Sequence, residues 1–174
     1  IRSWPMKGTI ACPETEAEAQ RAAQCLLEDP KERAEHTTIV DLIRNDLTRV
    51  SRNVQVHAFR ELLRVHTGGG ELWQTQSCIE GSLEAGWQDR IGDILLGLLP
   101  AGSVSGAPKE SVCRIIAGAE GQSRGLYTGV LAVFDGEALD SAVLIRSVSL
   151  TREGLSYHSG GGITVYSDME REYN

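Results

Sequence analysis

Apolar and polar positions along this chain follow a helical period first and a strand period afterwards. The run from Glu16 to Glu28 is rich in alanine and charge and follows a Thr15-x-x-Glu18 capping-box spacing, which predicts a helix. Asp29-Pro30 breaks it. A second helix is predicted from about Lys31 through Val50, with Ile39, Leu42, Ile43, Leu47 and Val50 on one face. Its interior also carries Asp41, Arg44, Asn45 and Asp46, more polar groups than a simple amphipathic helix needs, and a structural salt-bridge network is expected of them.

The period then shortens to two. Val54, Val56 and Ala58 alternate through a strand from Asn53 to Ala58, and Glu61 to Val65 continues it beyond a bend. Thr67 to Gly70 is a turn, and Leu72 to Leu83, with Trp73, Thr75, Ser77 and Ile79, is the next strand. Ile91, Ile94, Leu95 and Leu98 predict a helix from about Trp87 to Leu98, ended by Pro100. The small-residue loop from Pro100 to Lys109 then feeds a helix that starts at or near Pro108, where a proline suits the first turn. Gly125 to Phe134 and Ala138 to Leu150 are predicted strands joined by Asp135-Gly136, the strongest hairpin signal in the chain. A turn at Glu153-Gly154 leads to Leu155 to His158 and then to three consecutive glycines, Gly160 to Gly162. Mixed helices and strands with an antiparallel hairpin give an α+β fold class, antiparallel sheets layered with helices.

Composition narrows the function classes. The 174 residues suit a single domain spanning 1–174, and a formal charge of −7 without a Lys/Arg cluster argues against a nucleic-acid partner. No apolar run reaches the roughly 20 residues of a membrane span, and no charged stretch followed by an apolar one marks a signal peptide. Cys12, Cys25, Cys78 and Cys113 form no C-x-x-C pair, as expected of reduced thiols in a cytoplasmic protein. Ile1-Arg2-Ser3 reads as the middle of an extended segment and Glu170 to Asn174 as the first turn of an unfinished helix, so a truncated domain is expected.

Four places carry candidate chemistry. In Trp4-Pro5-Met6-Lys7-Gly8-Thr9, Pro5 and Gly8 constrain the backbone on either side of one lysine. Alone, Lys7 reads as a surface charge in a turn; in a dry or cationic pocket the same amine becomes a nucleophile. The 100–109 loop with its helix N-terminus reads as an ordinary connection or as an anion cradle. Arg146, among consecutive apolar strand residues, must reach water, a partner or a ligand. The glycines at 160–162 let a ligand lie directly on the backbone.

Taken in order, Pro-Met-Lys-Gly-Thr at 5–9, Ala34-Glu35-His36 through Asp41-Leu42-Ile43-Arg44-Asn45-Asp46-Leu47, Ser103-Val104-Ser105-Gly106-Ala107-Pro108-Lys109, Arg124 to Gly129, Ile145-Arg146 and Gly160 through Tyr173 resemble the chorismate-utilising enzymes. That family includes anthranilate synthase component I, isochorismate synthase and aminodeoxychorismate synthase component I. Within it, the lysine of Pro-x-Lys-Gly-Thr resembles the aminodeoxychorismate synthases, where anthranilate synthases usually carry alanine. The resemblance implies amination of chorismate to 4-amino-4-deoxychorismate, on the route to 4-aminobenzoate and folate, with ammonia from a glutamine amidotransferase subunit.

It also implies a site. Lys7 would form a covalent adduct with chorismate, and Mg²⁺ would sit on Glu35 and Glu172, with Glu32 one helical turn before Glu35 as a further acidic contributor. Arg146 and Tyr127 would hold the enolpyruvyl carboxylate. Backbone at Gly160, Gly161 and Gly162 and the Ser103 loop would hold carboxylate oxygens, and Thr9 would line the pocket beside Lys7. Gln74 stands where many relatives have histidine; glutamine can hydrogen-bond but cannot shuttle a proton at neutral pH. The competing readings are an anthranilate or isochorismate synthase, disfavoured by Lys7, and a non-catalytic ligand-binding module.

Overall fold

Two compact units, Ile1–Leu98 and Leu99–Asn174, divide the computed structural model, which describes residues 1–152, 154–164, 167, 168 and 170. In the first unit, strands β1 (Arg2–Ser3) and β2 (Met6–Cys12) precede helices α1 (Glu16–Glu28) and α2 (Pro30–Thr48). Strands β3 (Arg52–Thr67) and β4 (Gly70–Ser82) and helix α3 (Ile91–Leu98) complete it. The second unit holds helix α4 (Lys109–Glu120) and strands β5 (Val130–Phe134), β6 (Leu139–Val143), β7 (Val148–Thr151) and β8 (Gly154–Tyr157).

β4 is the axis of the first unit. It pairs antiparallel with β3 along one edge and with β1 and β2 along the other. Its alternate residues Thr75, Ser77, Ile79 and Gly81 are buried, the two-residue period that the sequence predicts. Ala19, Ala23 and Leu26 of α1, Val40 and Leu47 of α2 and Ile94 of α3 supply the rest of the buried apolar surface, and Val40, Leu47 and Ile79 pack as one cluster.

The Asp29-Pro30 break is a junction that both ends one helix and starts the next. The Asp29 backbone N–H donates to the Cys25 carbonyl at the end of α1, while its side chain accepts the Glu32 N–H at 2.9 Å as the cap of α2. Pro30 occupies the first turn, where its missing N–H has no intrahelical partner to lose. Trp87–Arg90 winds as a 3₁₀ turn ahead of α3, so the predicted helix is regular only from Ile91. Arg44 pairs with Asp41 at 2.7 Å on the exposed face of α2, as expected.

Register shifts interrupt both edges of β4, one against β2 and three against β3, and two of them bear on the site. Met6 faces Gln76 and Thr9 faces Gln74, so β2 has one residue more than its partner at Lys7-Gly8. On the other edge Ala58 faces Cys78 and Glu61 faces Gln76, which leaves the extra residue at Phe59-Arg60. This second bulge is the bend predicted between the two halves of the β3 segment. A bulge takes backbone groups out of the ladder and re-aims side chains.

In the second unit β5 and β6 pair from Val130↔Val143 to Phe134↔Leu139 around the Asp135-Gly136 turn, and β7 pairs with β8. Two predicted strands are shorter than expected. The segment from Gly125 to Gly129 is a turn, with the Tyr127 and Gly129 N–H groups donating to the Arg124 and Leu126 carbonyls. Tyr127 therefore precedes the strand. The predicted strand from Ala138 to Leu150 is split, because after Val143 the chain turns at Leu144 to Arg146 and restarts as β7. Arg146 has φ +54°, a left-handed conformation that an extended strand cannot contain.

Among the described residues no single helix is long and apolar enough to cross a membrane.

Candidate active site

The first unit brings Lys7, Glu32 and Glu35 together at the bulge in β2. Thr9 and Gln74 instead pair with each other, Gln74 lying on the face of the sheet opposite to inward-facing Trp73, Thr75 and Ser77. Gly8 has φ +99°, and a Cβ there would lie 3.0 Å from Glu32 Oε2, 3.2 Å from Thr75 Oγ1 and 3.3 Å from Leu26 Cδ1. Only glycine meets both the conformation and the space. The bulge turns the neighbouring Lys7 toward α2, where its Nζ lies 2.6 Å from Glu35 Oε2. Lys7 is 38% exposed and Glu35 10%, so the pair sits at the edge of the interior with the amine still open to solvent. Lys31 approaches the other oxygen of Glu35 at 3.7 Å. Thr9 and Gln74 are cross-strand partners, and the Gln74 amide donates to Thr9 Oγ1 at 3.2 Å.

Glu32 and Glu35, three residues apart on α2, stand on one helix face. Glu32 Oε2 and Glu35 Oε1 are buried and accept no hydrogen bond from any described residue. Burying carboxylate oxygens without donors is costly. Hard oxygens of this kind, with no hydrogen-bond donor and only the Lys31 ammonium at 3.7 Å beside Glu35 Oε1, fit a small divalent cation such as Mg²⁺. Among the described residues no group of three metal-ligating side chains forms. Glu172, the remaining expected ligand, lies outside the described residues.

Beneath Lys7 is a buried polar network that sequence reasoning missed. The freed carbonyl of Lys7 accepts from His36 Nδ1 at 2.9 Å and from the hydroxyl of Thr75. His36 is fully buried; its Nε2 lies 2.6 Å from Ser77 Oγ, which itself accepts the Arg60 backbone N–H at 3.1 Å. This order of donors fixes a neutral ring protonated at Nδ1: the Ser77 hydroxyl donates to Nε2, and Nδ1–H donates to the Lys7 carbonyl. Burial pushes the His36 pKa down, with the Arg60 charge adding to the effect and the hydrogen bond to the Lys7 carbonyl and the Glu32 carboxylate opposing it. Phe59 meets the imidazole edge to face at 5.6 Å. Arg60 spans the rest of the layer, donating to the Leu26 and Leu27 carbonyls at the C-terminal end of α1. The signal in the sequence was small: hydroxyls at two inward positions of β4, next to an apolar one, beside a helix carrying Glu35-His36.

The remaining expected residues lie in the second unit. Tyr127 has Arg124 over its ring at 5.6 Å and stacks with His158 at 5.5 Å. A Cβ on Gly160 would fall 2.8 Å from the Tyr127 hydroxyl, so the hydroxyl rests directly on the glycine backbone. Arg146 is exposed and makes no hydrogen bond or ion pair with another described residue. Ser103 is exposed in the 3₁₀ turn Gly102–Val104, and Pro108 caps α4 with extended backbone rather than joining its first turn. Gly161 and Gly162 are exposed in a segment without regular structure.

Comparison with known proteins agrees with this architecture. The family model described as "chorismate binding enzyme" matches residues 1–174. An "Uncharacterized PabA-like protein" of Haemophilus influenzae is 51% identical over 99% of this chain and 51% of its own length. Anthranilate synthase component 1 of Aeropyrum pernix is 38% identical, and aminodeoxychorismate synthase component 1 of Bacillus subtilis 35% identical, each over 99% of this chain. They are covered over 39% and 36% of their own lengths. The crystal structure of anthranilate synthase component I from Streptococcus pneumoniae superposes with a TM-score of 0.81 at 32% identity, over 99% of this chain and 37% of that one. The chain thus spans about half, or less, of the length of these relatives. With the whole chain matched by one family model and its fold shared with a solved member, the protein belongs to the chorismate-binding enzymes.

Proposed function

We propose that the whole protein aminates chorismate to 4-amino-4-deoxychorismate, with residues 1–174 belonging to one chorismate-binding domain. The observation that carries this reading is Lys7 itself. It is a constrained, half-exposed amine in a glycine bulge, 2.6 Å from Glu35 on a helix face where Glu32 Oε2 and Glu35 Oε1 accept no hydrogen bond from a described residue. Sequence identity alone does not select the reaction, since anthranilate and aminodeoxychorismate synthases match to similar degrees.

In this reading the Lys7 amine adds to C2 of chorismate, the ring double bonds shift, and the protonated C4 hydroxyl leaves as water. Ammonia then adds at C4, the double bonds shift back and Lys7 departs. Dividing one difficult substitution into two displacements is the benefit of covalent catalysis. Lys7 must first give up a proton, because only the neutral amine can add to C2. Glu32 and Glu35, with Glu172, would hold Mg²⁺. That ion would supply charge neutralisation for the ring carboxylate. Arg146 supplies a planar fork for the second carboxylate, and the Tyr127 hydroxyl beside Gly160 a further donor. A glutamine amidotransferase subunit would deliver the ammonia, in the cytoplasm.

The test is product analysis of the whole protein with chorismate, Mg²⁺ and ammonium. Aminodeoxychorismate is expected, with Lys7→Ala losing about 10²-fold or more of the rate. Anthranilate or isochorismate as the product would refute the reading. A non-catalytic module that keeps the fold and binds the ligand without turnover is the second reading. Calorimetry showing Mg²⁺-dependent chorismate binding without turnover would support it.

A further inference from the structure

Lys7 is held at both ends by adjacent residues of α2. Glu35 takes the Nζ at 2.6 Å, and His36 Nδ1 donates to the backbone carbonyl at 2.9 Å. The bulge makes the second bond necessary. It removes the Lys7 carbonyl from the ladder between β2 and β4, which resumes on either side at Met6 and Thr9. A part-buried carbonyl taken out of a ladder needs another donor, and His36 and Thr75 provide two.

The imidazole is itself fixed from every side. Ser77 holds Nε2, Thr75 Oγ1 lies 3.3 Å from Nδ1, and Phe59 covers its edge. Ser77 is in turn fixed by the backbone of the bulge on the opposite edge, through Arg60 N–H. The two bulges therefore meet at one side chain.

We propose that His36 is a positioning residue: by pinning the Lys7 carbonyl it fixes the bulge that aims the Lys7 amine at the acidic face of α2. This rests on the reading of Lys7 as the nucleophile. Such a residue changes the chemical step rather than substrate binding, because Lys7 acts on a substrate already held by other groups.

Two substitutions separate pinning from mere packing. His36→Asn places an amide N–H near the position of Nδ1 and keeps the bond to the Lys7 carbonyl. His36→Gln reaches instead toward Ser77 and loses it. In steady-state kinetics of the whole protein, His36→Gln is expected to lower kcat about tenfold or more with KM for chorismate unchanged, while His36→Asn retains most of kcat. Equal loss in both variants, or full activity in His36→Gln, overturns the proposal.

Hydrogen exchange of the peptide containing Lys7 to Thr9 gives the same contrast without any turnover. His36→Asn should match the unsubstituted protein and His36→Gln should exchange severalfold faster at that peptide; identical exchange in the two variants overturns the proposal. If the unsubstituted protein makes no aminodeoxychorismate, the reading of its reaction fails, and the exchange contrast alone decides the pinning. If His36→Gln does not fold, His36→Asn carries the test alone: exchange at Lys7 to Thr9 and kcat close to those of the unsubstituted protein are expected, and a clear loss in either overturns the proposal.

Discussion

At Gly8 backbone conformation and packing make the same demand, so Gly8→Ala should be costly on both counts. A Cβ at φ +99° is strained, and it would press on Glu32 and Thr75 at 3.0 and 3.2 Å. The expected loss is about 1–3 kcal/mol, read as a lower denaturant midpoint at unchanged slope. Lys7 and a cation compete for Glu35, so Lys7→Met should tighten binding of Mn²⁺, a spectroscopic stand-in for Mg²⁺, by roughly tenfold at most at low salt. Unchanged affinity would show that the ammonium does not occupy the cation's place. Pro5 and Gly8 marked Lys7 as constrained in the sequence. The bulge itself was not legible, because an extra residue is defined only against the strand it faces. His36 was hidden for the same reason: its partners come from β2, β3 and β4, which only the folded sheet brings together.

Among the elements, strong periodicity carried over and isolated charge did not. α1, α2 and β4 follow the predicted spans closely because each repeats its pattern over many residues. The strand drawn through Arg146 failed. Its apolar neighbours suggested continuity, yet the chain leaves the hairpin after Val143 and Arg146 takes a left-handed conformation with φ +54°. The Asp135-Gly136 hairpin was legible from two residues and has a readable pH dependence. Asp135 Oδ1 accepts the N–H groups of Glu137 and Ala138 at 2.9 and 2.8 Å, and these backbone bonds hold its carboxyl below the usual aspartate range. A depressed folded pKa means the contribution is present above the unfolded value of about 3.9 and is lost as pH falls through the lower folded one. Amide exchange at Glu137 and Ala138 should therefore accelerate, relative to the rest of the hairpin, as pH drops below about 3.9. Asp135→Asn, whose side-chain carbonyl still accepts, should remove that dependence.

For the molecule as a whole, the ordered motifs identified the family, and the fold and family model agree with it. The reaction rests on one residue, since relatives with different chemistry share the same architecture. The first unit places Lys7, Glu32 and Glu35 around one bulge, with Thr9 and Gln74 paired on the other face of the sheet. The second holds Tyr127 against Gly160 and leaves the Arg146 guanidinium without a partner among the described residues. Mass spectrometry of the whole protein mixed with chorismate and Mg²⁺ in the absence of ammonia tests the central claim most directly. A chorismate-derived adduct on the peptide containing Lys7 is predicted, discharged by added ammonium and absent from Lys7→Met. Turnover to aminodeoxychorismate at full rate by Lys7→Met, with no adduct in the unsubstituted protein, would contradict it.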